Sequence, residues 1–204
     1  MSPPSLRICE LRTVNSAPVD TAPAGTTTAG DVIAFWREAG YRQWFGGAAA
    51  FDRECEARFL DAHHLAARRA CEHWLETPDG ALALLVLLDQ IPRNVFRGSA
   101  HAWAADPLAR HYASRAIEAG FDQQVDAGLR LFFYMPFEHS ESLADQERSV
   151  ALHRTLPGKD ADAWAVKHYD VIAKFGRFPH RNAALGRIST PEEQAYLDAG
   201  GGFG

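Results

Sequence analysis

The stretch TPDGALALLVLLDQIP, residues 77–92, constrains this chain more than any other, because every position from Ala81 to Leu88 is apolar and none can face water at low cost. A run of that length fits a buried strand or a buried helix, and periodicity does not separate the two. Its flanks do. Thr77 is a good N-cap, Pro78 is preorganised for the first helical position, Asp79 suits the positive end of the helix dipole, and the run is Ala and Leu rather than β-branched. The segment therefore reads as a helix that is hydrophobic all round and lies at the centre of the fold, with Leu82, Leu85, Val86 and Leu88 in the core. Pro92 has no amide hydrogen and disfavours helical backbone at Ile91, so the helix is expected to end near Gln90.

The same punctuation recurs along the chain. Asp106 with Pro107 opens a helix that Gly120 closes, and Ser142 with Asp145 in the third position opens another that runs to Pro157. Residues 160–176 form a further helix, and Thr190 with Glu193 brackets Pro191 as a capping box. Residues 31–40 and the long segment 51–75 complete the set, with Trp36, Trp44, Phe45, Phe51 and Phe59 as core anchors. No period-2 run of β-branched residues and no Asn-Gly or Asp-Gly hairpin turn stands between them. The reading is all-α, with about eight helices packed as an array of antiparallel pairs. No 34-residue period carrying the tetratricopeptide pattern is present. One echo exists between IPRNVFRG (91–98) and FPHRNAALGR (178–187), which is either coincidence and shared helix-end chemistry or a duplication.

Charge and cysteine content narrow the function classes. The chain of 204 residues has a formal net charge of −5 and a pI near 6.0. Such a balance argues against nucleic-acid or anionic-membrane binding, which usually needs a basic surplus. Cys9, Cys55 and Cys71 are odd in number and widely spaced, as expected for a reducing cytoplasm. No segment has the apolar length of a signal-peptide core or a membrane span. Residues 1–28, rich in Pro, Ala, Ser and Thr, are expected to be a loosely ordered lead-in, 29–204 a single helical domain, and AGGGFG (199–204) a flexible tail.

Three blocks, LLDQIPRNVFRG (87–98), YMPFEHSESLADQ (134–146) and HYDVIAKFGRFPHRNAALGRIST (168–190), resemble in this order the signature segments of a bacterial family known as domain of unknown function 924. The resemblance runs from about residue 30 to the C-terminus. It implies an all-helical, tetratricopeptide-like α-α superhelix with no established activity, and so it speaks to fold rather than to function.

The chemistry carried by these blocks is open to two readings each. In the first, Arg93 and Asn94 serve the free carbonyls of a helix end while Asp89 pairs with an arginine, or Arg93 and Arg97 form part of an anion clamp. In the second, Glu138, His139, Ser140 and Glu141 are surface and capping groups, or a histidine whose carboxylate neighbours fix its tautomer for acid/base or metal chemistry. No HExxH or comparable spacing is present, so no metal and no cofactor is assigned. The third block is the most suggestive. Between Asp170 and Glu192 there is no acid, while Lys174, Arg177, His180, Arg181 and Arg187 all fall there; Asp89 and Asp106 likewise bracket an acid-free window. His168 lies about two helical turns before Gly176 and is placed on the same face as the end of its helix, and Asn182 follows Arg181 in the loop.

Gly176 and Pro179 make this segment a helix stop, after which Phe175 and Phe178 are expected to bury and Glu138, Glu141 or Asp89 to meet part of the arginine charge. Two functions follow: a binding or scaffold module whose basic pocket takes a small anion or an acidic peptide, or an enzyme using His139 or His180 as acid/base with arginine stabilisation.

Overall fold

The computed structural model describes residues 27–203, so the expected lead-in, apart from its last two residues, and Cys9 lie outside the described residues. Among the described residues the secondary structure is helical, with no strand. The α-helices are α1 (Ala29–Trp44), α2 (Ala49–Ala67), α3 (Pro78–Leu85), α4 (Ile91–Val95), α5 (Asp106–Glu118), α6 (Leu131–Glu138), α7 (Leu143–His153), α8 (Ala163–Phe175) and α9 (Pro191–Asp198). A π turn, Val86–Gln90, joins α3 to α4 in one continuous helical run, which leaves eight helical bodies.

The centre is where the hydrophobic run places it. Residues from Ala81 to Leu88 are wholly buried, and α3 packs against α1, α5 and α6. Thr77 caps it by accepting from the Gly80 amide at 3.2 Å. Gly80 is required there, because a Cβ would stand 2.2 Å from the carbonyl oxygen of Trp74 in the preceding 3₁₀ turn. Trp36 of α1 meets Phe132 of α6 edge to face at 5.6 Å, and Phe35 stacks on Phe51 of α2. Trp36, Phe51 and Phe59 are core anchors as expected. Phe45 is not: it ends α1 past the Gly40 kink and is 45% exposed.

Pro92 does not stop the helix. The backbone stays helical through Ile91 because the chain widens first, with the Ile91 amide donating to Val86 five residues back. In that wider register the next donor, to the Leu87 carbonyl, would be the nitrogen of Pro92, which carries no hydrogen. His63 of α2 fills the gap, its Nδ1 lying 2.8 Å from the Leu87 oxygen.

Two further expectations are corrected. Ser142 precedes α7 without a side-chain capping bond; Ser140 instead donates to Asp145 at 2.6 Å and accepts from the Ser142 amide. The C-terminal tail is packed, since Phe203 stacks on His168 at 3.7 Å and joins Phe178, Val171 and Ile172 in a second, smaller apolar cluster. Phe178 is buried as expected, with Phe175 partly so, and Gly176 ends α8 at a left-handed φ of 69°. The capping box of Thr190 and Glu193 is present.

Leu85→Ala removes a wholly buried side chain from the helix that the others surround. Urea denaturation of that variant should show a loss of about 2–5 kcal/mol relative to wild type.

Candidate functional site

The apolar run ends on a charge. Asp89 sits one step beyond Leu88 in the π turn and is 1% exposed, so its carboxylate needs partners inside the protein. Three elements supply them. His139, at the C-terminal cap of α6, places Nδ1 2.8 Å from Asp89 Oδ1. Gln90 donates to the other oxygen at 2.6 Å. Arg93, one turn on in α4, donates to the Asp89 carbonyl and lies 3.3 Å from its carboxylate. Burial works against ionisation of Asp89, but Arg93 and then His139 outweigh it and hold the carboxyl well below the usual range.

Arg93 continues outward to Asp106, donating through both terminal nitrogens at 3.0 Å each. Asp106 opens α5 as the sequence implies, yet its side chain turns inward instead of capping the helix. A second guanidinium approaches the same carboxylate: Arg181 Nη1 lies 3.5 Å from Asp106, and its Nη2 donates to the His139 carbonyl at 3.0 Å. Arg181 lies over the rings of Phe178 and Trp103 at 4.5 and 5.2 Å, and among the described residues its buried Nε has no partner. Burial, reinforced by Arg93, lowers its pKa to about 10.

Behind His139 lies a second polar group. Glu138, the last residue of α6, places one carboxylate oxygen 3.3 Å from His168 Nδ1 of α8 and the other 3.4 Å from His153 Nε2 of α7. Each of these imidazoles has Nδ1 against a carbonyl of its own helix, Trp164 at 2.8 Å and Ser149 at 2.9 Å, so Nδ1 carries the proton. Burial, then the neighbouring Asp89, raises Glu138 to about 8, and burial followed by the charge of His139 lowers His168 to about 3. One ligand atom from each of Glu138, His139 and His168 lies within 4.8 Å of the other two, a grouping able to hold a metal ion. The sequence shows no ligand spacing because the three converge from α6 and α8.

A cleft of about 480 Å³ opens onto this cluster, lined by Trp103, Asp106, Arg110, His139, Arg181 and Arg187 among others. A groove of about 550 Å³ beside Asp61, His64 and Arg68 is larger, but its lining residues are exposed or half-buried and hold no buried polar group.

The expected site residues divide accordingly. Asp89, Arg93, His139 and Arg181 come together, and His168 joins them through Glu138. His180 flanks them among Trp103, Phe178 and Phe203, with Nδ1 buried and without a partner among the described residues. Glu141 stands at the rim, accepting both forks of Arg187 at 2.8 Å and the Phe178 amide. The remaining residues lie elsewhere. Asn94 and Arg97 donate to Asp52 of α2, at 2.8 Å for Asn94 and at 3.0 and 3.1 Å for Arg97, so Arg97 is no part of an anion clamp with Arg93. Arg177 and Asn182 are bound by Glu193 of α9. Sequence reasoning missed Asp106 and His153 and underrated Glu138; Asp106 was disguised as a helix-start acid, and nothing in the spacing of the other two marks them.

The fold is thus an all-helical body with a buried carboxylate–arginine–histidine network at the floor of a cleft. The chain belongs to the family described as "Bacterial protein of unknown function (DUF924)", which it matches over residues 32–201. Among solved structures it is similar to a protein of unknown function, ATU0120 from Agrobacterium tumefaciens. That likeness has 50% identity and a TM-score of 0.81, covering 84% of this chain and 97% of the other. No curated protein matches it.

Glu193 accepts from Arg177 at 2.6 and 2.8 Å and from the Thr190 amide at 2.7 Å, and these bonds, Arg177 foremost, lower its pKa from 4.5 to about 2. A carboxyl depressed on folding stabilises the protein above its unfolded pKa, and that contribution is lost as pH falls through the folded one. In urea melts the gap between wild type and Glu193→Gln should therefore be widest near neutrality and narrow between about pH 4.5 and about pH 2.

Proposed function

We propose that this protein is a binding module whose cleft over His139 and Arg181 takes a small anion, a carboxylate or phosphate compound, or the acidic side chain of a peptide. One observation carries the reading: Arg181 is a buried cation at the floor of an open cleft, it shares the carboxylate of Asp106 with Arg93, and its Nε has no partner among the described residues. A buried guanidinium with donors to spare is stabilised by whatever anion reaches it, and its planar fork fits the paired oxygens of carboxylate and phosphate. The other arginines of the cleft already have acids of their own, Arg187 with Glu141 and Arg110 with Asp145. They shape the rim, and Arg181 remains as the group that receives charge.

No described helix is long and apolar enough to cross a membrane. The free, buried thiols of Cys55 and Cys71 support a reducing, cytoplasmic setting.

A thermal-shift screen of carboxylate and phosphate compounds tests the reading. A ligand at 100 times its dissociation constant stabilises the native state by about 2.7 kcal/mol, a rise of roughly 5–10 °C for a chain of this size. Arg181→Met, with circular dichroism unchanged from wild type, should lose that rise. If no anion stabilises wild type, or the variant responds as strongly, the binding reading fails.

A further inference from the structure

The geometry points to a divalent transition-metal site formed by Glu138, His139 and His168 at the inner end of the cleft, a site that stands independently of the anion reading.

The donor set is the first argument. Two imidazoles and a carboxylate are ligands that zinc, ferrous and cobaltous ions accept, and three protein ligands leave coordination positions open to water or to a ligand. Metal–ligand bonds of about 2.0–2.2 Å set donor atoms roughly 3–4 Å apart. Donors already within 4.8 Å of one another therefore close on an ion by small side-chain movements, without rearranging helices.

The supporting residues are the second argument. Histidine ligands characteristically give their other ring proton to a carboxylate or a carbonyl, which fixes the tautomer and aims the ring. His139 meets Asp89 through Nδ1 at 2.8 Å, leaving Nε2 free, and Asp89 is itself held by Gln90 and Arg93. The His168 ring is stacked against Phe203, with its Nδ1 2.8 Å from the Trp164 carbonyl and 3.3 Å from Glu138. His153, tied to the Ser149 carbonyl, presents Nε2 to the second oxygen of Glu138 at 3.4 Å and orients that carboxylate.

The third argument is the carboxylate. Glu138 is 4% exposed, and among the described residues its only ion-pair partners are the imidazoles of His153 and His168; no lysine or arginine pairs with it. Ionising a buried acid that no lysine or arginine pairs with is costly, and a metal ion is a partner for the ionised form that the surrounding imidazoles can share. Arg93 and Arg181 do not forbid this, because Asp89 and Asp106 balance them in charge. His139 lines the cleft, which gives the ion a way in.

The test uses the full-length protein, stripped with chelator and desalted, then titrated with Co²⁺ and with Zn²⁺. One ion should bind per chain, with a visible Co²⁺ absorption that Zn²⁺ abolishes. Glu138→Gln and His168→Asn, each checked for helical circular dichroism, should weaken binding at least tenfold. In wild type the ring resonances of His139 and His168 should shift on Zn²⁺ addition, a readout that decides the matter even where a variant does not fold. The site is refuted if folded wild type takes up neither ion. It is equally refuted if both variants bind as wild type does, or if only the exposed His64, His73, His101 and His111 respond.

Discussion

Everything in this molecule is arranged around the burial of one helix with no polar face. Because the run from Ala81 to Leu88 offers only Ala, Leu and Val, it must be enclosed by neighbours on all sides, and α1, α5 and α6 pack against α3. The run then ends in Asp89 at a depth where no water is available to solvate a carboxylate. The burial of the helix thus creates a demand for charge at its end, and His139, Arg93, Asp106 and Arg181 are the answer to it. Breaking such a buried pair by removing one partner costs roughly 3–5 kcal/mol, so the network fixes the relative placement of α4, α5, α6 and the loop after α8.

The π turn makes this possible. A regular helix interrupted by Pro92 would have broken near Gln90 and sent the following segment elsewhere. Widening at Val86–Gln90 keeps the chain helical, so that Arg93 returns one turn after Asp89 and reaches both its carbonyl and Asp106. His63 then serves the carbonyl that proline leaves without a donor. A local irregularity and a histidine from a different helix are thereby coupled to the geometry of the polar cluster, as is common for π turns at functional positions.

Electrostatics in the cluster is close to neutral by count and uneven by position. Most arginines of the acid-free windows are tied to distant acids, Arg97 to Asp52, Arg177 to Glu193 and Arg187 to Glu141. These pairs lock helix ends together; Arg97–Asp52 and Arg187–Glu141 lie exposed or half-buried, where such pairs are worth little in stability, whereas Glu193 is buried. Arg181 also reaches a distant acid, Asp106, but lies over the rings of Phe178 and Trp103 with its Nε unpartnered among the described residues. That arginine lines the cleft beside His139.

The sequence by itself determined the all-helical class, most helices, several caps and the identity of the central helix, because hydrophobic run, Thr-Pro starts and Gly stops act over a few residues and are written consecutively; α6, the end of α2 at Ala67 and the continuation past Pro92 were not read from it. Thr77, Gly120, Gly176 and the Thr190–Glu193 box behave as their local chemistry requires. It also singled out Asp89, Arg93, His139 and Arg181. Tertiary structure alone decided which of the other polar residues belong with them. Asn94 and Arg97 lie in the same block as Arg93 but, a few steps round the helix, face Asp52, whereas Asp106 and His153 carry no mark of membership and arrive from other elements. A polar side chain in a dense interior takes the nearest partner that satisfies it, and which partner is nearest depends on how helices cross, a property of packed surfaces that no stretch of sequence encodes alone.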